Sequence, residues 1–369
     1  MFKICTLVGT RPELIKLSRV IPKLDENFKH ILIHSGQNYD YTLNKIFFKD
    51  LKIRKPNYFL NVKNKNLSKM IGNIISKTDE VFDKIKPDAL LVYGDTNTSL
   101  GIISAKRKKI PIFHMEAGNR CNDQRVPEEI NRKIADHLSD VNIVISDQAR
   151  ENLLGEGIKK DMVFKFGSHM KEVIDFNITD IEKSTILKKL KLKKNSYLLV
   201  SLHREENVDD KIRLKKIIQQ LNDFGKKKKI KTIISTHPRT KNNLKKYKIS
   251  AKYLYFLKPF GFFDYCNLQK NSLCTVSDSG TIFEESSILN FPAVTIRPSH
   301  ERQEGIDGGT VLIHNLKNTS LEYSINLSRK LRKNKNFKVP DYYSEFVSEK
   351  IVNLVHSYIP IINEKVWMK

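Results

Sequence analysis

The chain has 369 residues, 40% of them apolar, and carries 66 Lys and Arg against 41 Asp and Glu, a formal net charge of +25. This length exceeds one ordinary hydrophobic core and predicts two domains. No run of about 18 apolar residues appears, which argues against a transmembrane helix, and the N-terminus lacks the pattern of a secretory signal, so we expect a soluble, cytoplasmic protein.

Segments with strand and helix patterns alternate along the chain. Strands are predicted at residues 2–8, 31–33, 89–93, 110–113, 142–145 and 162–166, with a helix beginning at residue 12 and an amphipathic helix at residues 67–85. The charged segment 175–195 is interpreted as a linker. Further strands are predicted at residues 197–201, 232–235, 273–276 and 293–296, with helices at 209–224 and 281–290 and a late amphipathic helix near 343–358.

This alternation predicts an α/β protein with two doubly wound, Rossmann-like domains built on parallel sheets. We expect an N-terminal domain at residues 1–172, a C-terminal domain at 173–342, and a final helix in 343–369 that packs back on the N-terminal domain. Ligands of such sheets bind at the carboxyl ends of the strands. The unusual polar motifs of the chain all follow predicted strands, so they are the candidate site.

The net charge and the cysteines each raise an alternative function. Basic proteins often bind nucleic acid, but here the lysines fall mostly on predicted helix faces and loops, without interleaved aromatic residues or a known motif. We therefore expect a solvated basic surface that attracts an anionic substrate. The scattered cysteines favour reduced thiols over a disulfide framework or a zinc site; they are Cys5, Cys121, Cys266 and Cys274.

Two motifs follow strands of the first half. The sequence G-T-R-P-E at residues 9–13 ends a strand and begins a helix, where glycine permits a tight turn and the helix N-terminus favours an anion. Arg11 and Lys16 add positive charge there, and the alternative is an ordinary capped turn. The sequence G-D-T-N at residues 94–97 repeats this arrangement, and there the alternative is that Asp95 only caps the next helix.

The segment 114–132 has the densest charge, and its first residues follow a buried strand. One interpretation is a set of carboxylates whose pKa values are separated by burial and by arginine, so that one takes a proton while another gives one. The alternative is a structural network of ion pairs. The charged residues concerned are Glu116, Glu128, Glu129, Arg120, Arg125 and Arg132.

The second half has similar motifs. His203 and His237 each follow a predicted strand, and His203 is a candidate hydrogen-bond donor or acid. The sequence S-G-T at residues 279–281 begins a helix and predicts a phosphate site. Glu285 lies about one turn further along that helix, where a carboxylate can bind ribose hydroxyls. No spacing of His and Cys matches zinc, and no metal site is implied.

Together these motifs resemble the non-hydrolysing UDP-N-acetylglucosamine 2-epimerase family. The resemblance covers nearly the whole chain, through G-T-R-P-E, S-G-Q, G-D-T, H-M-E-A-G, P-E-E-x-N-R, S-x-H-R-E-E-N and S-D-S-G-T-x-x-E-E. It implies two Rossmann-like domains facing a central cleft, the GT-B-like arrangement of many glycosyltransferases. It also implies a UDP-sugar substrate, a homodimer, and neither a cofactor nor a metal, nucleic-acid or membrane partner.

The resemblance assigns roles to individual residues. Asp95, Glu116 and Glu128 match the family's catalytic carboxylates, and His203 matches a diphosphate ligand that is also a catalytic candidate. The resemblance also implies diphosphate binding by Arg11 and Lys16 in the first half and by Ser279, Gly280 and Thr281 in the second. It implies ribose binding by Glu285, contact with uracil by Tyr265, and an allosteric UDP-sugar site at Gln37. Further candidate substrate-binding residues are Arg120, Arg132 and His237.

A finer resemblance points to one branch of the family. The sequences H-M-E-A-G-N-R-C-N-D-Q-R-V-P-E-E, S-G-Q-N-Y-D-Y and K-P-F-G-F-x-D-Y are similar to UDP-N-acetyl-L-fucosamine synthases. These enzymes invert C2 of UDP-2-acetamido-2,6-dideoxy-L-talose, and the branch implies a role in capsule or O-antigen precursor synthesis. UDP-N-acetylglucosamine is the alternative substrate. Alternatives from other classes are a GT-B glycosyltransferase, a non-catalytic nucleotide-sugar sensor and a nucleic-acid-binding protein, which the dense carboxylates disfavour.

Overall fold

The computed structural model describes residues 1–37, 48 and 50–369. The N-Y-D-Y part of the S-G-Q-N-Y-D-Y motif, residues 38–41, lies outside this range. Contacts divide the chain into two compact units: unit 1 is Met1–Asp175 with Ser344–Lys369, and unit 2 is Phe176–Tyr343. No helix of the described residues is both long enough and apolar enough to cross a membrane.

Unit 1 is built on seven parallel strands in the order β3-β2-β1-β4-β5-β6-β7. The chain passes to the other side of β1 after β3, so β1 and β4 flank a topological switch point. The strands are β1 (Lys3–Val8), β2 (Lys29–His34), β3 (Tyr58–Phe59), β4 (Ala89–Tyr93), β5 (Ile112–Ala117), β6 (Val141–Val144) and β7 (Val163–Lys165).

The helices of unit 1 connect these strands and close the unit at its C-terminal end. Their bounds are Arg11–Lys16, Val20–Asn27, Leu67–Ile85, Ile102–Arg107, Pro127–Leu138, Asp147–Gly155, Met170–Phe176 and Val347–Lys365, with 3-10 turns at Asn97–Gly101 and Lys160–Met162.

The helix Leu67–Ile85 shows how sequence spacing produces the core of unit 1. Asn66 caps it by accepting a hydrogen bond from the Lys69 N–H at 3.0 Å. Met70, Ile74 and Phe82 lie on one face and are buried against the sheet. The amphipathic helix predicted at residues 67–85 is therefore present.

Unit 2 is built on six parallel strands in the order β10-β9-β8-β11-β12-β13. Its strands are β8 (Tyr197–Leu202), β9 (Lys231–Thr236), β10 (Leu254–Leu257), β11 (Cys274–Ser277), β12 (Ala293–Thr295) and β13 (Leu312–Ile313). Its helices are Ile178–Glu182, Ile186–Lys189, Glu205–Val208, Lys211–Lys228, Pro238–Lys246, Phe262–Asn271, Ile282–Leu289, Gln303–Asp307 and Leu321–Arg332, with a 3-10 turn at Pro340–Tyr342.

The sequence prediction was wrong in the segment 175–195, which we interpreted as a linker. This segment contains the short helices Ile178–Glu182 and Ile186–Lys189. Ile181 is fully buried, and the Asn267 side chain donates to the Ile181 carbonyl at 2.8 Å. The segment is thus a folded part of unit 2, and its many charges lie on the exposed side of short helices.

The last helix, Val347–Lys365, belongs to unit 1, although it follows the whole of unit 2 in sequence. It packs on the helix Val20–Asn27. At its start, the Ser348 N–H donates to Glu172 Oε2 at 3.1 Å, and further along, the ring of His356 lies 5.7 Å from that of Phe2. The C-terminus of the chain is therefore fixed to the unit in which the chain begins.

Candidate active site

The turn after β1 is closed by a carboxylate of its own helix. Glu13 Oε2 accepts hydrogen bonds from the Gly9 N–H at 2.8 Å and the Thr10 N–H at 2.6 Å, and Glu13 Oε1 accepts one from Thr96 Oγ1 at 2.9 Å. Burial raises the pKa of Glu13 to about 7, although these hydrogen bonds act to lower it. The capped-turn alternative accounts for this turn, because the backbone amides that we predicted as an anion site donate instead to the Glu13 carboxylate.

Gly9 allows the end of β1 to approach two neighbouring loops. A Cβ at Gly9 would lie 1.9 Å from Thr98 Oγ1 and 2.2 Å from Ser35 Oγ. Thr98 Oγ1 lies 2.8 Å from Ser35 Oγ and donates to Gln37 Oε1 at 2.8 Å. Gln37 is thus held inside unit 1 by a hydroxyl of the loop after β4, and its predicted allosteric role stays a prediction.

Glu116 lies at the carboxyl end of β5 in a cluster with Lys16 and Tyr93. The Lys16 ammonium is 2.7 Å from Glu116 Oε2, and the Tyr93 O–H donates to the same oxygen. Lys16 Nζ also lies 5.5 Å from the centre of the Tyr93 ring. Lys16, which we predicted beside a diphosphate, is here the ion-pair partner of a candidate catalytic carboxylate.

The backbone of Glu116 adopts a rare conformation. Its φ is +63°, in the left-handed region that a glutamate seldom occupies. The register of β5 against β6 shifts between Met115 and Ala117, so Glu116 is the extra residue of a bulge. Bulges redirect side chains at the ends of strands, and strained residues of this kind concentrate at functional sites. The distortion turns the Glu116 side chain toward Lys16 and Tyr93.

Asp95 follows β4, the neighbour of β5, and is joined to an arginine network. Arg132 donates from Nη2 to Asp95 Oδ2 at 2.6 Å and from Nη1 to Glu129 Oε2 at 2.7 Å. Glu129 is 1% exposed and also accepts from the backbone N–H of Cys121 at 3.1 Å. Burial acts to raise the pKa of Glu129, but the Cys121 amide and the Arg132 charge lower it overall. The ion-pair alternative thus applies to Glu129 and Arg132.

His114, at the centre of β5, is fully buried between two acceptors. Its Nδ1 lies 2.9 Å from Asp136 Oδ1 and its Nε2 lies 2.8 Å from the Gly94 carbonyl oxygen. Burial acts to lower the pKa of His114, but the Asp136 carboxylate and the Gly94 carbonyl raise it. Both ring nitrogens thus lie against oxygen atoms, and the imidazole joins the turn after β4 to the helix Pro127–Leu138.

The remaining candidates of unit 1 have different surroundings. Arg120 donates to Asp136 Oδ2 at 2.6 Å and to Glu156 through two bonds of 2.7 and 2.6 Å. Its guanidinium is thus committed to carboxylates of unit 1, which supports a structural role; substrate binding by Arg120 stays a prediction. Arg11 is half-buried at the first position of its helix, and Glu128 is half-buried in the first turn of the helix Pro127–Leu138.

In unit 2, His203 is oriented by a buried aspartate. His203 follows β8, and its Nδ1 lies 3.0 Å from Asp278 Oδ1. Asp278 follows the adjacent strand β11, is fully buried, and also accepts from the backbone N–H of Arg204 at 3.0 Å. Burial acts to raise the pKa of Asp278, but the charge of His203 and these hydrogen bonds lower it to about 2. The aspartate therefore holds the imidazole through Nδ1.

The predicted phosphate site of unit 2 lies at the start of the helix Ile282–Leu289. Thr281 precedes this helix, and its Oγ1 is 2.9 Å from Ser279 Oγ. A Cβ at Gly280 would lie 2.5 Å from Glu301 Oε1. A larger residue here would require the Glu301 carboxylate to shift from its place 2.8 Å from the guanidinium of Arg297.

The other candidates of unit 2 surround this helix start. Glu285 is 7% exposed, and its Oε2 accepts from Gln269 Nε2 at 2.5 Å. Burial, and then the Glu285 charge, raise the pKa of the Tyr265 phenol well above its usual range. His237 is exposed and caps the helix Pro238–Lys246, with its Nδ1 accepting from the Arg239 N–H at 3.3 Å. The ring centres of His237 and His203 are 6.1 Å apart.

Sequence reasoning missed three residues of these clusters. Tyr93 was assigned only to the end of a strand, yet it directly precedes the G-D-T motif. Asp136 lies four residues after Arg132 on one helix, which places both on the same face. Asp278 is the aspartate of S-D-S-G-T, and its position after β11, beside β8, was the available signal. In each case the residue type was visible but its partner on another strand was not.

Comparison with known proteins identifies the family. A sequence profile described as UDP-N-acetylglucosamine 2-epimerase matches residues 22–356. The structure of UDP-N-acetylglucosamine 2-epimerase from Rickettsia bellii is 49% identical, each chain covers 100% of the other, and the TM-score is 0.92. The Methanocaldococcus jannaschii UDP-GlcNAc 2-epimerase in complex with UDP-GlcNAc and UDP is 33% identical over 96% of this chain and 99% of that one, with a TM-score of 0.89.

A relative named for a different substrate is the UDP-2,3-diacetamido-2,3-dideoxy-D-glucuronate 2-epimerase of Pseudomonas aeruginosa. It is 32% identical over 317 residues, which are 84% of this chain and 88% of that protein. The predicted family and the fold of two parallel-sheet α/β domains are confirmed by these matches. The chain therefore belongs to the UDP-N-acetylglucosamine 2-epimerase family and is an isomerase that acts as an epimerase.

Proposed function

We propose that this epimerase inverts C2 of a UDP-linked 2-acetamido sugar, and that its substrate is UDP-2-acetamido-2,6-dideoxy-L-talose, which it converts to UDP-N-acetyl-L-fucosamine. The observation that carries the proposal is the pair of carboxylates at the ends of adjacent strands, Asp95 after β4 and Glu116 in β5. Inversion at carbon needs a base on one face of the sugar and an acid on the other.

The C2–H bond of such a sugar is not acidic, so proton loss is coupled to departure of UDP. As a carboxylate takes the C2 proton, the C2–H electrons form a double bond to C1 and the C1–O electrons leave with UDP. The products are a 2-acetamidoglycal and UDP, formed by anti elimination. A proton then reaches the opposite face of C2 while a UDP oxygen adds to C1. The sequence is redox-neutral and requires no hydride acceptor.

The two units contribute different groups to this proposal. Unit 1 supplies the proton-transfer candidates Asp95, Glu116 and Glu128. Unit 2 supplies UDP-binding candidates, since a helix start and a cation favour a diphosphate. Roles proposed for the remaining residues are diphosphate binding by Arg11, Lys16, His203, Ser279, Gly280 and Thr281, ribose binding by Glu285, and contact with uracil by Tyr265. Direct substrate contacts by Arg120, Arg132 and His237 are proposed with them, and Gln37 is proposed for a regulatory UDP-sugar site.

The choice of sugar rests on the sequence around the carboxylates. Residues 119–126, N-R-C-N-D-Q-R-V, resemble the L-fucosamine branch. A second candidate substrate, UDP-N-acetylglucosamine, is favoured by the similarity to the UDP-N-acetylglucosamine 2-epimerases of Rickettsia bellii and Methanocaldococcus jannaschii. We also propose that the protein is a homodimer, which sedimentation equilibrium tests. A role in capsule or O-antigen precursor synthesis is a further part of the proposal.

Proton NMR with each UDP-sugar offered separately in D2O tests the proposal. We expect turnover of the L-talose derivative and gain of one solvent deuterium at C2, because the proton removed on one face is replaced from the other. Glu116→Gln protein prepared in the same way is the control for contaminating enzymes. Turnover of UDP-N-acetylglucosamine alone would reject the branch assignment, and retention of the original hydrogen would reject the two-face mechanism.

A further inference from the structure

Glu116 is held from two elements at a single carboxylate oxygen. The Lys16 ammonium, from the helix after β1, lies 2.7 Å from Glu116 Oε2, and the Tyr93 O–H, from the end of β4, donates to this oxygen. Lys16 is 3% exposed and Tyr93 is 4% exposed. Water therefore competes little with either donor, and both interactions are stronger than they would be at the surface.

We propose that Tyr93 is a positioning residue for the reaction, which acts with Lys16 to keep Glu116 ionised and in one orientation for proton transfer at C2. This inference rests on the proposed epimerisation. A carboxylate oxygen that accepts from an ammonium and a hydroxyl is stabilised in its charged form. Tyr93 thus acts through Glu116, and Glu116 begins a catalytic cycle as the base.

The position of Glu116 in the bulge makes a separate orienting device necessary. A residue at φ +63° is not held by regular ladder hydrogen bonds on both sides. Tyr93 pairs with Met115 in the register of β4 and β5, so its hydroxyl approaches the bulge from the neighbouring strand. The phenol of β4 and the ammonium of the first helix therefore fix a side chain whose own strand is irregular.

One ionisation then governs both directions of the reaction. Ionised Glu116 takes the proton from the epimer whose C2–H faces it, as the C2–H electrons form the C1–C2 double bond and UDP leaves with the C1–O electrons. In reverse, protonated Glu116 returns the proton to C2 as UDP adds. The ionisation of Glu116 should therefore set the acid limb of kcat/KM in one direction and the alkaline limb in the other.

Several titratable groups lie on the elements that surround Glu116. Besides Lys16 and Tyr93 they are Glu13 on the Lys16 helix, Asp95 after β4, His114 in β5, and His169, whose ring meets the Tyr93 ring edge-on at 5.3 Å. Tyr93→Phe separates the hydrogen bond from these charges. It removes one hydroxyl, keeps the ring beside Lys16 and His169, and changes no formal charge.

The test compares Tyr93→Phe with Tyr197→Phe, a matched loss of one buried phenol. The Tyr197 O–H donates to the Leu268 carbonyl at 2.6 Å at the amino end of the unit 2 sheet. We expect kcat of Tyr93→Phe to fall roughly tenfold, with KM changed less than about twofold. The limb of the pH profile of kcat/KM that Glu116 sets should move to higher pH by about one unit, in the forward and in the reverse reaction. Tyr197→Phe should move neither limb.

An activity-independent measurement separates this inference from the proposed function. The carboxyl carbon-13 resonance of Glu116, identified by its loss in Glu116→Gln, is titrated in wild-type protein and Tyr93→Phe without substrate. A higher midpoint in Tyr93→Phe supports the inference even if neither UDP-sugar is turned over, whereas an unchanged midpoint overturns it. Should Tyr93→Phe fail to fold, Lys16→Gln should raise the same midpoint, and an unchanged value there also overturns the inference.

Discussion

The carboxylates of the candidate site in unit 1 are held in two different ways. Glu129 is almost fully buried and receives hydrogen bonds from the Cys121 amide and from Arg132. Asp95 shares Arg132, but its side chain is 23% exposed, and the Glu116 side chain is 13% exposed. A proton-transfer group must reach substrate, whereas a supporting group need not. The difference in side-chain exposure therefore distinguishes Asp95 and Glu116, as candidates for proton transfer, from Glu129, as a supporting group.

Neutral amides at these positions should have different effects. Asp95→Asn and Glu116→Gln should each lower kcat by about 100-fold or more, the range for loss of a general acid or base. Glu129→Gln should instead lower the free energy of unfolding by about 3 kcal/mol, because it breaks a buried ion pair. Steady-state kinetics and denaturant unfolding of the three variants measure these effects.

Asp147→Asn serves as the surface control, since this carboxylate is 64% exposed. It should change neither property. Near-normal turnover of Glu116→Gln would mean that its contacts with Lys16 and Tyr93 are structural. A Glu129→Gln protein of normal stability but without activity would reverse the assignment of support to Glu129.

At the scale of elements, the close approach of the turn after β1 to the loop after β4 depends on one missing Cβ. Gly9→Ala would place that carbon 1.9 Å from Thr98 Oγ1. Because Thr98 also bonds Ser35 and Gln37, the loop cannot move aside without loss of those contacts. We expect a loss of about 2 kcal/mol or more of stability, measured by urea unfolding.

Gly72→Ala is the matched control for this substitution. Gly72 lies within the helix Leu67–Ile85, and a Cβ there would meet nothing within 4 Å. Alanine in an exposed helix position is favoured over glycine by about 1 kcal/mol, so stability should rise slightly. Equal stability of Gly9→Ala and wild type would show that the two loops tolerate separation.

The strands that the sequence did not predict share one position in the fold. β3, β10 and β13 are the outer strands of their sheets. Central strands are covered on both faces and appear as apolar runs, such as the A-L-L-V-Y of β4. The outer strands are two to four residues long and partly exposed, so they lack that pattern.

The candidate site was predictable in its residues but not in its pairings. Motif positions identified Glu116 and His203, because polar residues after parallel strands lie at the ligand-binding edge. Their partners Tyr93 and Asp278 belong to neighbouring strands that are 23 and 75 residues away in sequence. Only the strand order brings them together, and strand order depends on packing that a single sequence does not display. The bulge at Glu116 likewise has no sequence signature.

At the scale of the whole molecule, two buried glutamates give its stability opposite dependences on pH. Burial raises the pKa of Glu13 from 4.5 to about 7. Between these values the folded state binds more protons than the unfolded state, so stability falls as pH rises. The pKa of Glu129 is lowered, so its contribution is present above the unfolded value and is lost as pH falls through the folded one.

These opposite signs make the two contributions separable by mutation. Glu13→Gln should remove a decrease in stability of up to about 3 kcal/mol between pH 4.5 and 7, because the amide has no proton to lose. Glu129→Gln should leave that decrease intact and remove stability mainly at neutral pH. Calorimetric melting temperatures taken across pH 4 to 8 measure both slopes, with the exposed Glu151→Gln as the control. If the decrease persists in Glu13→Gln, Glu13 is not its source. That outcome would mean that the Gly9 and Thr10 amides keep Glu13 ionised in the wild-type protein in spite of its burial.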